Sequence, residues 1–219
     1  MGEAKTRRGP YRKGLAQRKQ VLDVAMDLFA REGEAGTTLS AIAAAAGMTR
    51  EGLRHYFSSR DDVLLAIVES VDEDARARQP DQTLGLFEQI IDSARRNAAV
   101  PGLSALFATL AARAVIERDS AIAHSMNGRL DQLRRDVTDG VRTAQDAGAI
   151  RTDIAPEVAA SLILAVSDGL TIQAALPNAV DVLGGMRVLE TLLKTRPIAM
   201  SKPGSPLSEP PSTTRQTQL

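Results

Sequence analysis

The sequence predicts an all-α protein, on three observations. Helix formers such as Ala, Leu, Arg, Glu and Gln dominate it. Apolar residues recur three and four apart along most of its length. No β-branched alternation bounded by turn residues occurs. With 219 residues, 43% hydrophobic and 25% charged, the chain is long enough for one or two domains with a sizeable core, although only 3% of it is aromatic.

Residues 1–14 read as a disordered basic arm. A first helix over about 15–32 carries Val21, Leu22, Ala25, Leu28 and Phe29 on one face, and a Gly-bearing turn follows at Gly33 to Gly36. The stretch 37–60, TTLSAIAAAAGMTREGLRHYFSSR, is two short helices with a tight turn between them. Thr38 is placed to cap the first through its hydroxyl, and Leu39, Ile42, Ala43 and Ala46 share a face. Gly47 ends that helix because glycine tolerates the left-handed conformation after a C-terminus, with Met48 as an apolar plug for the corner. Thr49 starts the second helix; Leu53 and Phe57 point inward, so Arg50, Glu51 and Arg54 face outward. Long charged side chains on the N-terminal half of such a helix suit the second helix of a helix-turn-helix, which enters the DNA major groove.

Ser59 opens the next helix, with Asp62 three residues on as a capping-box partner. Val63, Leu64, Ile67, Val68 and Val71 give it a stripe, and Pro80 stops it. Further helices are expected over about 82–98, 102–117 and 120–147, punctuated by Pro101 and Gly148. A helix over 156–176 begins with Pro156 in its first turn and is apolar nearly all round; a last one covers about 180–195. From Pro197 the Ser, Pro and Thr content predicts a disordered tail over 197–219.

The ordered set over 18–69 resembles the TetR family of bacterial one-component regulators: the first helix, the Gly turn, Thr38, Ile42-Ala43, Gly47-Met48-Thr49-Arg50, Leu53, His55-Tyr56-Phe57, Ser59 and Arg60. The resemblance implies a three-helix DNA-binding domain over 15–58 and a six-helix ligand-binding and dimerisation domain over 59–196. It also implies that Thr38, Tyr56 and Arg60 hold phosphates while residues 49–55, among them Thr49, Arg50, Glu51, Arg54 and His55, face bases. Arg54 stands where relatives often have Tyr, and Gly52 where they often have Ala or a small hydroxylated residue. A looser likeness joins Arg95-Arg96-Asn97, Pro101-Gly102-Leu103 and Asp168-Gly169-Leu170 to the branch containing betaine-type repressors. By resemblance the chain is a homodimeric repressor on a pseudo-palindromic DNA operator, released by a small-molecule effector.

Charge agrees with this division of labour. Residues 1–60 hold 11 Lys and Arg against 6 Asp and Glu, whereas the remainder holds 16 against 21, so a basic end joins an acidic body. Lys5, Arg7, Arg8, Arg12, Lys13, Arg18 and Lys19 could add phosphate contacts or simply keep an arm solvated. Cysteine is absent, which excludes a disulfide scaffold and thiolate metal sites. With no signal peptide and a longest apolar run, at 162–166, far short of a span, a cytoplasmic protein without membrane contact is expected. The opening MGEAKT fits a myristoylation pattern only loosely. His55 and His124 are the sole histidines and phosphate loops of the GxxxxGK type are missing, so no catalytic site, metal or cofactor is expected. The alternative, an all-helical interaction or adaptor protein without DNA binding, has no use for an Arg50, Arg54 and Arg60 cluster beside His55 and Tyr56.

Leu65, Phe87, Phe107, Leu110, Met126, Leu130 and Gln173 are the candidates for an effector pocket among the fourth to eighth helices. Leu164 and Met186 are the candidates for a dimer contact made by the last two helices.

Overall fold

The computed structural model describes residues 9–78, 85–176 and 180–194, with side chains from Lys13 on. Those residues form nine helices and no strand. Lys5, Arg7, Arg8, the helix stop at Pro80 and the tail from Pro197 lie outside the described residues.

Helix α1 (Gly9–Gly36) starts earlier than expected, so residues 9–14 are helix rather than part of a disordered arm. Pro10 is no obstacle there, because a first helical turn has no internal partner for its N–H groups. Gly33 interrupts α1 at φ 68°, and the Thr37 hydroxyl donates to its carbonyl at 2.7 Å. Helices α2 (Leu39–Ala45) and α3 (Arg50–Arg54) are capped by Thr38 and Thr49, and Gly47 between them sits at φ 65°. α4 (Arg60–Ala77) opens on the Ser59–Asp62 capping box. α5 (Leu86–Ala98), α6 (Leu103–Ile116), α7 (Ala121–Asp146), α8 (Pro156–Ala174) and α9 (Val182–Lys194) complete the order.

Apolar side chains divide into two cores. The first joins Val21, Ala25 and Phe29 of α1, Ile42 of α2 and Leu53 of α3 to Val63–Val68 of α4, Leu103, Leu106 and Leu110 of α6 and Ile122 of α7. Three helices therefore do not close the reading domain by themselves: packing runs unbroken across the expected boundary at 58 and 59. The second core gathers Phe87 and Ile91 of α5, Val141 of α7, Ile163 of α8 and Met186, Leu189 and Leu193 of α9. α7 contributes to both, with Ile122 at one end and Val141 near the other.

Between α5 and α6 the chain bends by 99°, and Gly102 makes the bend at φ 77°. A Cβ there would lie 2.8 Å from both Cα and Cβ of Ala30, so the start of α6 presses directly on the α1 backbone.

Candidate nucleic-acid interface and ligand cleft

Local sequence fixes the reading pair. The Thr38 hydroxyl accepts from the Ala41 N–H at 3.1 Å and the Thr49 hydroxyl from the Gly52 N–H at 3.0 Å, so each helix starts at a defined residue. Leu53 and Phe57 are buried behind α3, and Arg18 of α1 lies over the Phe57 ring, 5.3 Å from its centroid. Arg50, Glu51, Arg54, His55 and Tyr56 are all exposed, and no hydrogen bond or ion pair ties their side chains to the described residues. In particular, Arg54 does not pair with Glu51. Five polar side chains thus project from a short, rigidly backed helix and its C-terminal turn.

Arg60 is placed differently from the phosphate-holding role inferred for it. Its guanidinium reaches the Glu34 carboxylate at 3.1 Å and Asp61 at 3.3 Å. Arg113 of α6 meets the same two acids and also Glu117, at 2.9 Å. This cluster ties α6 to the α1 end and the α4 start. Two basic side chains face three acids, so the Arg60 charge is matched within the protein itself. Of the basic arm's described members, Lys13 is exposed, Arg18 stacks on Phe57 and Lys19 pairs with Asp23.

A cleft of ≈ 420 Å³ opens between α6, α7 and α8, with Ala111, Ala114, Val115, Met126 and Leu130 as its apolar wall and Arg118, Arg129 and Asp168 as its charged groups. Arg129 is spent on Asp72, at 2.8 and 3.1 Å, and covers the Phe107 ring at 4.6 Å from its centroid. Arg118 is exposed. Asp168 keeps much of its surface exposed, but its carboxyl lies deep enough that burial pushes it above the ordinary carboxylate range, with Arg129 pulling the other way.

Met126 and Leu130 line this cleft; the other expected pocket residues do not. Leu65 and Leu110 are inside the first core and Phe87 is inside the second, where the apolar stripe they belong to packs on neighbouring helices. Gln173 is exposed on α8, and Phe107 lies beside the cleft, behind Arg129. His124 is exposed, its Nδ1 2.8 Å from the Ser120 carbonyl oxygen, and no group of acids and histidines among the described residues could hold a metal.

Residues 21–67 match the description "Bacterial regulatory proteins, tetR family", and residues 97–195 match "BetI-type transcriptional repressor, C-terminal". The chain belongs to the TetR family. A TetR-family member is a DNA-binding transcription regulator, and the helix-turn-helix described above lies within the first match. An HTH-type transcriptional repressor of Mycobacterium tuberculosis is 25% identical over 156 residues, 71% of this chain and 80% of that protein. GusR of Salmonella enterica superposes with a TM-score of 0.66 at 26% identity, over 82% of this chain and 94% of that one. A regulator from Saccharomonospora viridis, solved in complex with choline, superposes with a TM-score of 0.67 at 21% identity, over 82% and 96% of the two chains.

The TetR-family body leaves one apolar face of α8 and α9 uncovered. Val158, Leu162, Ala165, Gly169, Ile172 and Leu176 follow one line along α8 and its C-terminal end; Val158 and Leu176 are about 60% exposed. Val188 and Leu192 of α9 are equally open. Met186, expected at a dimer contact, is fully buried in the second core, and Leu164 is half-buried. Met186 is displaced from the open face because α9 turns that position into the second core. Among the described residues, α8 is the one single helix long and apolar enough to cross a membrane, with a mean hydropathy of 1.3 over its most apolar window.

The Arg113 cluster, the Arg129–Asp72 pair and Asp168 as a cleft group went unread in the sequence. Arg113 and Asp61 are 52 residues apart and Arg129 and Asp72 are 57 apart, and no local pattern announces such a pair. Only Asp168 carried a signal, through its place in Asp168-Gly169-Leu170.

Proposed function

We propose that this regulator is a homodimeric repressor that holds a pseudo-palindromic operator through two copies of α3 and leaves it when a small molecule enters the cleft between α6, α7 and α8. The observation that carries the reading is the free row of Arg50, Glu51, Arg54, His55 and Tyr56 on a helix anchored by Leu53 and Phe57. Thr49 serves the same face, and Thr38 and Tyr56 hold phosphates. Pairing uses the open α8 and α9 face, whose small central residues Ala165 and Gly169 permit close helix approach.

The cleft lies on α6, the helix that touches α1 at Gly102 and grips Asp61 through Arg113. A ligand that spreads α6 from α7 and α8 shifts the two readers away from the ~34–36 Å spacing of successive major grooves. By linkage, DNA weakens the ligand by the same factor. The choline held by the Saccharomonospora viridis protein supports the idea that a body of this shape admits small molecules.

A gel shift with the full chain on the DNA upstream of its own and the neighbouring gene tests the reading. A discrete, salt-sensitive complex that survives competitor DNA is expected, and failure to prefer any such fragment over random DNA overturns it.

A further inference from the structure

Two bidentate ion pairs among the described residues join α4, the helix that follows the reader, to the helices of the cleft. Arg113 of α6 holds Asp61, and Arg129 of α7 holds Asp72. The two carboxylates stand about three helical turns apart, so both leave the same face of α4, roughly 16 Å from one another along its axis. They bracket the buried stretch Val63–Val68, and each described residue of the chain from Glu73 to Arg78 is exposed.

Apolar burial is non-directional and tolerates small shifts of a helix over its neighbours, whereas a guanidinium paired through two hydrogen bonds accepts one geometry. Two such pairs on one face, at separate heights, therefore set the tilt of α4 as well as its register. Their cations come from different walls of the cleft. Arg129 lines it directly and covers the Phe107 ring of α6, while Arg113 stands on α6 beside Ala114 of the lining. Separating α6 from α7 cannot keep both pairs intact with α4 unmoved: either α4 tilts or one pair opens.

We propose that Asp61–Arg113 and Asp72–Arg129 form a two-point clamp that sets the tilt of α4 for operator binding, with Asp72 and Arg129 as positioning residues that act on DNA only through α4. The inference rests on the operator reading above and names the side chains that carry its coupling.

Fluorescence anisotropy of the full chain measures affinity for the upstream fragment it prefers and for random DNA of the same length. Asp72→Asn and Arg113→Gln each remove one pair. Each should weaken the preferred fragment by about tenfold, as if one molecule in about ten kept the competent tilt. Random DNA is held by phosphate charge, so its affinity should stay within about twofold. The two sites are too far apart to touch, and their effects on thermal stability should add. Their effects on operator affinity should not add: either break frees the tilt, so the double variant should lose far less than the roughly 100-fold product of two independent losses. Asp139→Asn, which opens an exposed pair with Arg142 within α7, should change neither affinity. Thermal melting keeps a folding defect from passing for a binding defect, and Arg129→Gln opens the same pair from the cleft side should Asp72→Asn not fold. Unchanged operator affinity in the folded variant, an equal loss on random DNA, the same loss in Asp139→Asn, or the full multiplied loss in the double variant overturns the clamp. A wild type that prefers no fragment overturns the operator reading itself, and the clamp's role with it.

Discussion

Arg113 holds Asp61 through two parallel hydrogen bonds, Nη1 to Oδ1 at 2.9 Å and Nη2 to Oδ2 at 2.8 Å. The pair links the body helix α6 to the first turn of α4, and the guanidinium keeps the Asp61 carboxyl below the usual carboxylate range. Because the pair is only partly screened from water, Arg113→Ala should cost about 1–2 kcal/mol of stability in urea unfolding. A double-mutant cycle with Asp61→Asn that shows no coupling would refute a direct contribution. The lowered folded-state pKa makes this contribution fully present above the unfolded value of about 3.9 and lost as pH falls through the folded value. Stability from this pair should therefore not vary between about pH 6 and 8.

Arg54→Ala should cost about 1–3 kcal/mol on the cognate operator and relax preference at one G·C pair, since a free arginine bonds guanine O6 and N7 bidentately. Binding-site selection with both proteins decides it: identical base preferences at every position mean that Arg54 does not read sequence.

Arg60→Ala should lower stability while changing the salt slope of operator binding by clearly less than one unit per subunit, because Glu34 and Asp61 already neutralise its charge. A full unit of slope lost in a salt titration would show that Arg60 leaves its carboxylates for a phosphate.

Leu162→Glu and Val188→Glu should each yield folded monomers in light scattering at micromolar concentration, since both positions are open in the protomer. Met186→Glu should instead fail to fold, because it places a charge where no solvent reaches. A folded Met186→Glu protein that is merely monomeric would contradict the placement of Met186 in the second core.

Asp168→Asn should raise stability slightly at neutral pH in the absence of ligand. The wild-type carboxyl has a folded-state pKa above its unfolded value, so its ionised form costs stability at high pH, and that cost is relieved as pH falls through the folded value. Lower stability of Asp168→Asn in thermal melts at pH 7 would mean that Asp168 has a stabilising partner.

What the sequence made legible was what depends on near neighbours. Thr38, Thr49 and Ser59 cap their helices because the donors they satisfy lie within three residues. The core stripes of α1 and α4 were readable because helical period alone assigns Val21, Ala25, Val63 and Ile67 to inner faces. Period does not say what an inner face meets. Met186 and Val188 are both apolar residues of α9, yet one is sealed inside the protomer and the other is open. Phe87, Leu65 and Leu110 likewise had the chemistry of a pocket wall and the position of a core. A phosphate role for Arg60 comes from resemblance alone, and its carboxylate partner Glu34, 26 residues upstream, leaves no local sign in the sequence.

The unbroken first core also limits what can be moved between relatives. A reader excised after residue 58 would lose the cover of Val63–Val68 and of Leu103, Leu106 and Leu110, and would bare Ile42, Leu53 and Phe29 to water. Transplanting it onto a foreign effector body would require carrying α4 and α6 along, with the Gly102 seat against Ala30. In this chain the smallest transferable recognition cassette is therefore neither short nor contiguous.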